Sequence, residues 1–245
     1  MNFSDEVGLR VAENGANEPL KQAAHRFLAE SVAPKYSYNF SWLGRPIIQY
    51  PQDIVVMQEI IWRVQPDLII ETGIAHGGSL IFSASILELM AVCGGGQGGE
   101  VLGVDIDIRP HNRAAIEAHP LARRIKMIQG SSIAPDIIAQ VRAAAAGKRR
   151  VLVCLDSNHT HDHVLAELEA YADLTTVGSY CVVFDTLIED MDPGTYPDRP
   201  WGPGNNPKSA ARLWLTTHPE FQIDHAMHNK TLITVAHEGF LKRVR

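Results

Sequence analysis

Acidic side chains follow four apolar runs along the chain, and this repetition is the clearest chemical signal in the sequence. The acids are Glu71, Asp105, Asp156 and Asp185. A fifth apolar run, Ile125–Ile128, is followed by the polar turn Gln129-Gly130-Ser131. If these runs are parallel strands, their carboxyl ends meet at one edge of a sheet, where ligands of open α/β folds bind. The sequence therefore predicts one acidic rim.

The predicted rim suggests two functions, cofactor binding and metal binding. Glu71, Asp105, Gln129 and Ser131 are expected to hold a cofactor, with Asp156 at its edge. Asp156 and Asp185 are suited to share a divalent cation with oxygen ligands, for which Mg²⁺ is the best candidate. Such an ion orients substrate hydroxyls and lowers the pKa of one. The alternative is that Asp156 caps the following helix and Asp185 hydrogen-bonds a loop.

A loop of small residues after Glu71 indicates the kind of cofactor. The segment contains Gly73, His76, Gly77 and Ser79 between an apolar strand and an apolar helix, which lets a ligand approach the backbone and the helix N-terminus. Its spacing is neither the dinucleotide fingerprint nor a P-loop. An acid at the strand end repels phosphate and favours a cationic ligand, which suits S-adenosylmethionine. The alternative is an ordinary strand–helix turn.

A histidine three residues beyond Asp156 is the candidate general base. His159 lies on the predicted rim, and a neutral imidazole can accept the proton of a sugar or alcohol hydroxyl. His161 and His163 follow closely, and a histidine-rich tract can instead bind metal. Asp156, His159 and His161 also permit a two-histidine, one-carboxylate site for non-haem iron.

The elements that must position these side chains alternate between strands and helices. This order predicts a doubly wound, Rossmann-like, mostly parallel sheet with an antiparallel C-terminal edge. Helices are expected at 20–31, 51–64, 113–118, 135–146, 164–173 and 209–217. The antiparallel edge is assigned to Phe221–Asp224 and Thr231–Ala236.

The chain is expected to form an N-terminal arm or flap, residues 1–50, and a main domain, residues 51–245. Residues 1–20 are polar and predict a mobile or partner-packed arm. The aromatic-rich stretch Tyr36–Gly44 either lines a substrate pocket or packs as a flap. Residues 188–208 are long for a connection, which favours a lid loop, with Trp201–Pro207 shaping the pocket.

Composition narrows the class of partner. The chain has 245 residues and a formal net charge of −6, so neither nucleic acid nor an anionic membrane is the expected partner. The N-terminal residues lack a signal-peptide pattern, and the three cysteines read as thiols, so the expected location is the cytoplasm.

Several motifs together carry a family resemblance. Residues 69–80, 101–109, 129–132, 155–174 and 182–186 resemble the cephalosporin-hydroxylase-type family, from about Tyr36 onward. This family is similar in fold to class I S-adenosylmethionine-dependent methyltransferases, including O-methyltransferases of macrolide sugars and cell-surface glycolipids. The resemblance places a metal ligand on Asp156, an acidic pair on Phe184-Asp185 and the base on His159. Phe184 departs from the pattern, which leaves water, Glu189 or Asn158 as replacement ligands, or no metal.

These observations predict an S-adenosylmethionine-dependent O-methyltransferase that acts on a hydroxyl of a sugar, a nucleotide-linked sugar or a glycosylated metabolite. His159, Asp156 and Asp185 would be catalytic, and Asp156 and Asp185 would hold Mg²⁺ where a metal is bound. The alternatives are an iron- and 2-oxo-acid-dependent hydroxylase, or a silent assembly subunit that binds the cofactor. The resemblance also favours a homo-oligomer.

Overall fold

The computed structural model describes residues 2–95 and 98–245. Its strands lie in a two-stranded sheet and a seven-stranded sheet. The strands are β1 (Phe40–Trp42), β2 (Arg45–Ile47), β3 (Leu68–Thr72), β4 (Glu100–Asp105), β5 (Ile125–Gln129), β6 (Val151–Leu155), β7 (Tyr180–Val183), β8 (Phe221–Ile223) and β9 (Phe240–Arg243). The helices are α1 (Phe3–Ala16), α2 (Glu18–Val32), α3 (Pro51–Val64), α4 (Gly78–Val92), α5 (Pro110–Glu117), α6 (Pro135–Ala145), α7 (His161–Tyr171), α8 (Pro207–Leu215) and α9 (His225–Thr231).

The large sheet has the strand order β5-β4-β3-β6-β7-β9-β8. Strands β3 to β7 are parallel, while β9 runs antiparallel to both β7 and β8. This confirms the predicted doubly wound sheet with an antiparallel edge. All residues of β3 and β6 are buried, because helices cover both faces at the centre of the sheet.

Two apolar clusters fill the space between the sheet and the helices. One includes Ile60 of α3, Leu80 of α4 and Ile69 of β3, and the other includes Val141 of α6, Leu168 of α7 and Ile70 of β3. Successive β3 residues therefore point to opposite faces. The two layers hold the strand ends in a fixed relation, which is what a site built from several strands requires.

Residues 3–16 are helical, where the sequence predicts an arm. Asn2 and Asp5 form a reciprocal capping box that starts α1. The helix packs on α9 of the same chain, and the side chain of Asn229 lies directly against Gly15. Capping and this contact explain why the polar segment is ordered against its own chain.

The predicted terminal strand Thr231–Ala236 is wrong. Thr234 and Val235 instead bind the buried carboxylate of Asp53 in α3, with the Thr234 hydroxyl 2.5 Å from Oδ1 and the Val235 amide 3.0 Å from Oδ2. The edge strand is Phe240–Arg243, which pairs with Tyr180–Val182. A β-branched run indicated a strand, and hydrogen bonding to a distant helix overrode that local preference.

The expected lid, residues 188–208, is a folded connection. A 3₁₀ helix spans Thr186–Asp190, and Glu189 then accepts hydrogen bonds from the Gly204 amide, at 2.7 Å, and from the Asn206 side chain. Asn206 also caps α8. These bonds tie the connection back to its own start, so it has a defined position above the strand ends. Among the described residues, the helices are too short or too polar to cross a bilayer.

Candidate functional site

Asp156, His159 and Asp185 come together at the carboxyl ends of β6 and β7. One ligand atom from each lies within 4.8 Å of the others, and His159 Nε2 is 3.3 Å from Asp185 Oδ2. Asp185 has a left-handed backbone, with φ of 54°, a conformation that costs energy for a residue other than glycine. Ligand atoms at this spacing can be bridged by a single cation. The expected neighbourhood of these three residues is therefore present.

The electrostatics of the cluster also favour a cation. Burial, followed by the neighbouring Asp185 carboxylate, raises the pKa of Asp156 well above its usual range. Two adjacent carboxylates repel each other, and a cation between them relieves that repulsion. Carboxylate oxygens are the ligands that Mg²⁺ prefers, with waters or substrate oxygens completing its shell. The donor set thus fits Mg²⁺.

The replacement ligands considered for the missing acid are engaged elsewhere. Phe184 is buried in the core. Glu189 binds the Gly204 amide at 2.7 Å, and Asn158 Oδ1 accepts from the Thr160 amide and hydroxyl at 3.0 and 2.8 Å. The cluster therefore consists of two carboxylates and one imidazole.

The two-histidine, one-carboxylate set is not assembled. The His161 amide donates to Asn205 Oδ1 at 2.9 Å, and its Nδ1 lies 2.8 Å from Ser209 Oγ. His161 therefore fastens α7 to the start of α8. Asp156 does not cap α7 either, because Thr160 is the residue that precedes its first turn.

His159 stands between Asp185 and the connection that follows β7. The Trp201 ring meets the imidazole edge-on, with ring centroids 4.8 Å apart, and the Arg199 guanidinium lies over Trp201 at 5.1 Å. These contacts fix the imidazole at the entrance of the cluster and limit its solvent exposure. Trp201 therefore packs against the imidazole of the cluster, and it lines neither of the two cavities described below.

A cavity of about 130 Å³ adjoins this cluster. Of the residues expected to hold the cofactor, Gly73, Asp105 and Ser131 line it. Six further lining residues were not among those expected to hold the cofactor: Val104, Ile106, Ser132, Ser157, Asn158 and His163. Ser157 and Asn158 lie between Asp156 and His159 in sequence, so the cavity and the cluster share one loop. That shared loop brings a ligand in the cavity next to the carboxylates.

Gly73 is required by geometry. Its φ is +90°, and a Cβ at this position would overlap the carbonyl oxygen of Asp156. The ends of β3 and β6 therefore approach closely only because residue 73 is glycine. Gly77 also has a positive φ, and a Cβ there would meet the side chain of Ile116.

Glu71 lies buried behind the glycine loop. It accepts a hydrogen bond from the Ser79 hydroxyl, and burial raises its pKa to about 7. A carboxylate with little hydration favours a nearby cation, but Glu71 does not itself line the cavity, so its role in cofactor binding stays a prediction. Ser79 does not line the cavity either, and its hydroxyl is bonded to Glu71.

Two of the remaining expected cofactor residues, Asp105 and His76, help to hold the glycine loop in shape, whereas Gln129 does not. Asp105 Oδ2 accepts from the Ile74 and Ala75 amides at 2.7 and 3.2 Å. Arg45 of β2 binds the backbone oxygen of His76, with Nε at 3.0 Å. Gln129 is exposed, with its side-chain oxygen 3.5 Å from Arg113.

A second cavity, of about 300 Å³, lies away from the carboxylate cluster. It is bounded by α2, the 3₁₀ helix at 186–190 and the segment around α9. His25, His228 and His237 line it, together with Asp190. Its lining shares no residue with the carboxylate–histidine cluster.

Known proteins resemble this chain over most of its length. A family profile described as "Rhamnosyl O-methyltransferase/CmcI" matches residues 34–244. A protein of Mycobacterium leprae named rhamnosyl O-methyltransferase is 32% identical over 228 residues, covering 88% of this chain and 90% of that protein. A protein of the same name from Mycobacterium bovis is 33% identical over 227 residues, covering 88% and 85%.

A solved structure described as a CmcI protein with Mg and S-adenosylmethionine superposes with a TM-score of 0.59 at 18% identity, covering 85% of this chain and 78% of that one. This similarity supports the fold. Taken with the match of the profile and the identity to the mycobacterial proteins, it leads to one assignment: the chain belongs to the rhamnosyl O-methyltransferase/CmcI family.

Proposed function

We propose that the protein is an S-adenosylmethionine-dependent O-methyltransferase acting on a hydroxyl of a sugar or glycoside. The observation that carries the proposal is the Asp156–His159–Asp185 cluster next to a cavity at the carboxyl edge of a parallel sheet. Family membership and the names of the mycobacterial relatives support the reaction and the sugar class of acceptor.

The cofactor would lie across the strand ends. Glu71 would attract the cationic amino-acid part through the glycine loop, and the cavity between Gly73, Asp105 and Ser131 would take the nucleoside. The sulfonium methyl would then be near the loop of residues 156–159. Holding methyl and hydroxyl in line supplies a large part of the acceleration of such a transfer.

His159 would accept the proton of the acceptor hydroxyl as the oxygen bonds the methyl group and the methyl–sulfur bond breaks. Its Nε2, 3.3 Å from Asp185, has a carboxylate beside it that stabilises the imidazolium form. Asp156 and Asp185 would hold Mg²⁺, which when bound orients the acceptor hydroxyls and lowers the pKa of one of them. Trp201 would shield the imidazole from water.

Two measurements test this function. Calorimetry should detect binding of S-adenosylmethionine and S-adenosylhomocysteine to the purified protein. Incubation with methyl-labelled cofactor, Mg²⁺ and a panel of rhamnosides and other glycosides should move the label to at least one acceptor. Binding with no transfer to any glycoside would favour an assembly subunit, and absence of binding would reject the proposal.

A further inference from the structure

Glu167 is a buried carboxylate that the proposed transfer does not use. It lies in α7 with no exposed surface, and its Oε1 accepts a hydrogen bond from Ser157 Oγ at 2.7 Å. Its Oε2 is buried and has no hydrogen-bond partner within the described part of the chain. A buried carboxyl oxygen without a hydrogen-bond partner is costly. We therefore expect a neighbouring group whose position depends on the Glu167 carboxyl.

Its neighbours connect Glu167 to the cofactor cavity. His163, one turn earlier in α7, places Nε2 at 3.6 Å from Glu167 Oε1, 3.2 Å from Ser157 Oγ and 3.1 Å from Ser132 Oγ. Ser132, Ser157 and His163 all line the cavity. The buried Tyr171 hydroxyl donates to the backbone oxygen of Ser132 and so holds that turn in place.

The hydrogen bond from Ser157 to Glu167 determines the donor and acceptor roles of His163 and Ser132. Because the Ser157 proton is directed at Glu167, Ser157 Oγ can only accept from His163, so Nε2 of His163 carries the hydrogen. The same N–H lies 3.1 Å from Ser132 Oγ, which makes the Ser132 oxygen an acceptor there. The Ser132 hydroxyl hydrogen is then free to point into the cavity. Ser132 therefore presents a donor to the ligand.

The strand order identifies which part of the cofactor meets this donor. The methyl group must be near the ends of β6 and β7, where Asp156, His159 and Asp185 lie. Ser132 follows β5, at the other end of the order β5-β4-β3-β6-β7. A nucleoside that extends over β4 from the methyl site brings its base to the β5 turn, so a ring nitrogen of the purine is the acceptor within reach.

We propose that Glu167 and His163 are positioning residues that orient the Ser132 hydroxyl as a hydrogen-bond donor to a ring nitrogen of the cofactor's purine base. The inference rests on the proposed function, since it assumes that the cavity binds S-adenosylmethionine. In this arrangement the Glu167 carboxylate determines which way the Ser132 hydroxyl points, although Glu167 lies far from the reacting atoms.

The test compares S-adenosylhomocysteine with its three deaza analogues that lack N1, N3 or N7, using calorimetric binding to the wild type and to variants. In the wild type, one analogue should bind about tenfold more weakly, the typical penalty for a buried donor left without its acceptor. In Ser132→Ala this penalty should vanish. In Glu167→Gln it should shrink by at least about threefold, because an amide no longer dictates the direction of the Ser157 hydrogen bond.

Glu169→Gln is the matched control, since it removes the same charge from the exposed face of the same helix and should leave the penalty unchanged. His163→Asn serves as the second variant if Glu167→Gln does not fold, and should shrink the penalty likewise. Equal weakening of all four ligands in Glu167→Gln, or a penalty insensitive to Ser132→Ala, would overturn the inference. Failure of the wild type to bind S-adenosylhomocysteine at all would instead reject the proposed function on which it rests.

Discussion

At the scale of single residues, the site depends on carboxylates held where water stabilises them poorly. Asp156 and Glu71 both have raised pKa values because they are buried, and Asp156 also has Asp185 beside it. Such groups gain more from a bound cation than exposed carboxylates do. The same environment therefore suits a metal ion at Asp156 and a cationic cofactor near Glu71.

His159→Ala should retain cofactor binding and lose transfer by a factor of about 10² to 10⁴, the usual contribution of a general base. The physical reason is that, within residues 2–95 and 98–245, His159 is the imidazole that shares the cluster with Asp156 and Asp185. Calorimetry with S-adenosylhomocysteine and turnover of a glycoside acceptor would measure the two effects. Turnover equal to that of the wild type would remove His159 from the mechanism.

Asp185→Asn should raise the Mg²⁺ concentration needed for half-maximal turnover by at least about tenfold, because one charged ligand of the hard cation is neutralised. Treatment of the wild type with a chelator should abolish transfer, and added Mg²⁺ should restore it. Asp198→Asn, in the exposed part of the connection after β7, is the matched control. Full activity of the wild type in the presence of a chelator would show that the transfer does not require a metal ion.

At the scale of elements, the site forms where the ends of neighbouring strands approach closely, and glycine residues make this close approach possible. The carboxyl ends of β3 and β6 touch at Gly73 and Asp156, and β2 presses on the start of α4 at Gly78, where a Cβ would overlap the Pro46 carbonyl. These contacts set how closely β3 approaches β6 and how closely β2 approaches α4, next to the proposed cofactor site. Substitution should consequently affect binding before it affects the overall fold.

Gly73→Ala should abolish binding of S-adenosylhomocysteine and lower stability by more than the roughly 1–2 kcal/mol that a left-handed backbone alone costs alanine. Gly194→Ala is the matched control, because Gly194 has nearly the same φ, +89°, with open space around it. Calorimetric binding and urea unfolding would measure both variants. Equal effects of the two substitutions would show that the close approach to Asp156 is unimportant.

An ion pair between a buried ammonium and a half-buried carboxylate joins the start of α8 to the connection after β7. Lys208 is 2% exposed, with its ammonium 2.7 Å from Asp190 Oδ2. Burial would raise the pKa of Asp190, but hydrogen bonds from His237 and Lys208 lower it to about 2. Asp190→Asn should destabilise the protein by about 3 kcal/mol because it leaves the ammonium without its main partner, whereas Lys208→Met should cost less. Urea unfolding would measure the stability of both variants. A greater loss of stability in Lys208→Met than in Asp190→Asn would contradict this account of the ion pair.

At the scale of the whole molecule, Asp53 joins the N-terminal half to the C-terminal segment through Thr234 and Val235. Burial raises the pKa of Asp53 to about 7, while an unfolded chain would have the ordinary value near 4. The folded state therefore holds a proton that the unfolded state releases between these values. The stability that Asp53 contributes is present below about pH 4 and is lost as the pH rises through about 7.

Asp53→Asn should therefore flatten the decline of stability between about pH 4 and pH 7, because asparagine mimics the protonated carboxyl and does not titrate. Urea unfolding across this range, without cofactor or metal, would measure the slopes. Glu71 contributes a decline of the same sign, so the variant should retain part of the slope. A slope identical to that of the wild type would show that Asp53 does not titrate in this window.

The sequence by itself determined the alternation of strands and helices, and with it the rim that carries Glu71, Asp105, Asp156 and Asp185. Local periodicity and chain order suffice for this, because parallel strands bring their carboxyl ends to one edge. His159 was also predictable, since it lies three positions after Asp156 on one short loop.

Only the tertiary structure decided which residues meet across long separations. Thr234, which the sequence places in a strand, lies outside the sheet because its hydroxyl donates a hydrogen bond to the buried carboxylate of Asp53, 181 residues earlier. Ser132 and His163, 31 residues apart, meet only because the β5 turn packs on α7. Spacing within an element is encoded locally, whereas pairing between elements depends on which buried polar groups must be satisfied once the layers have packed.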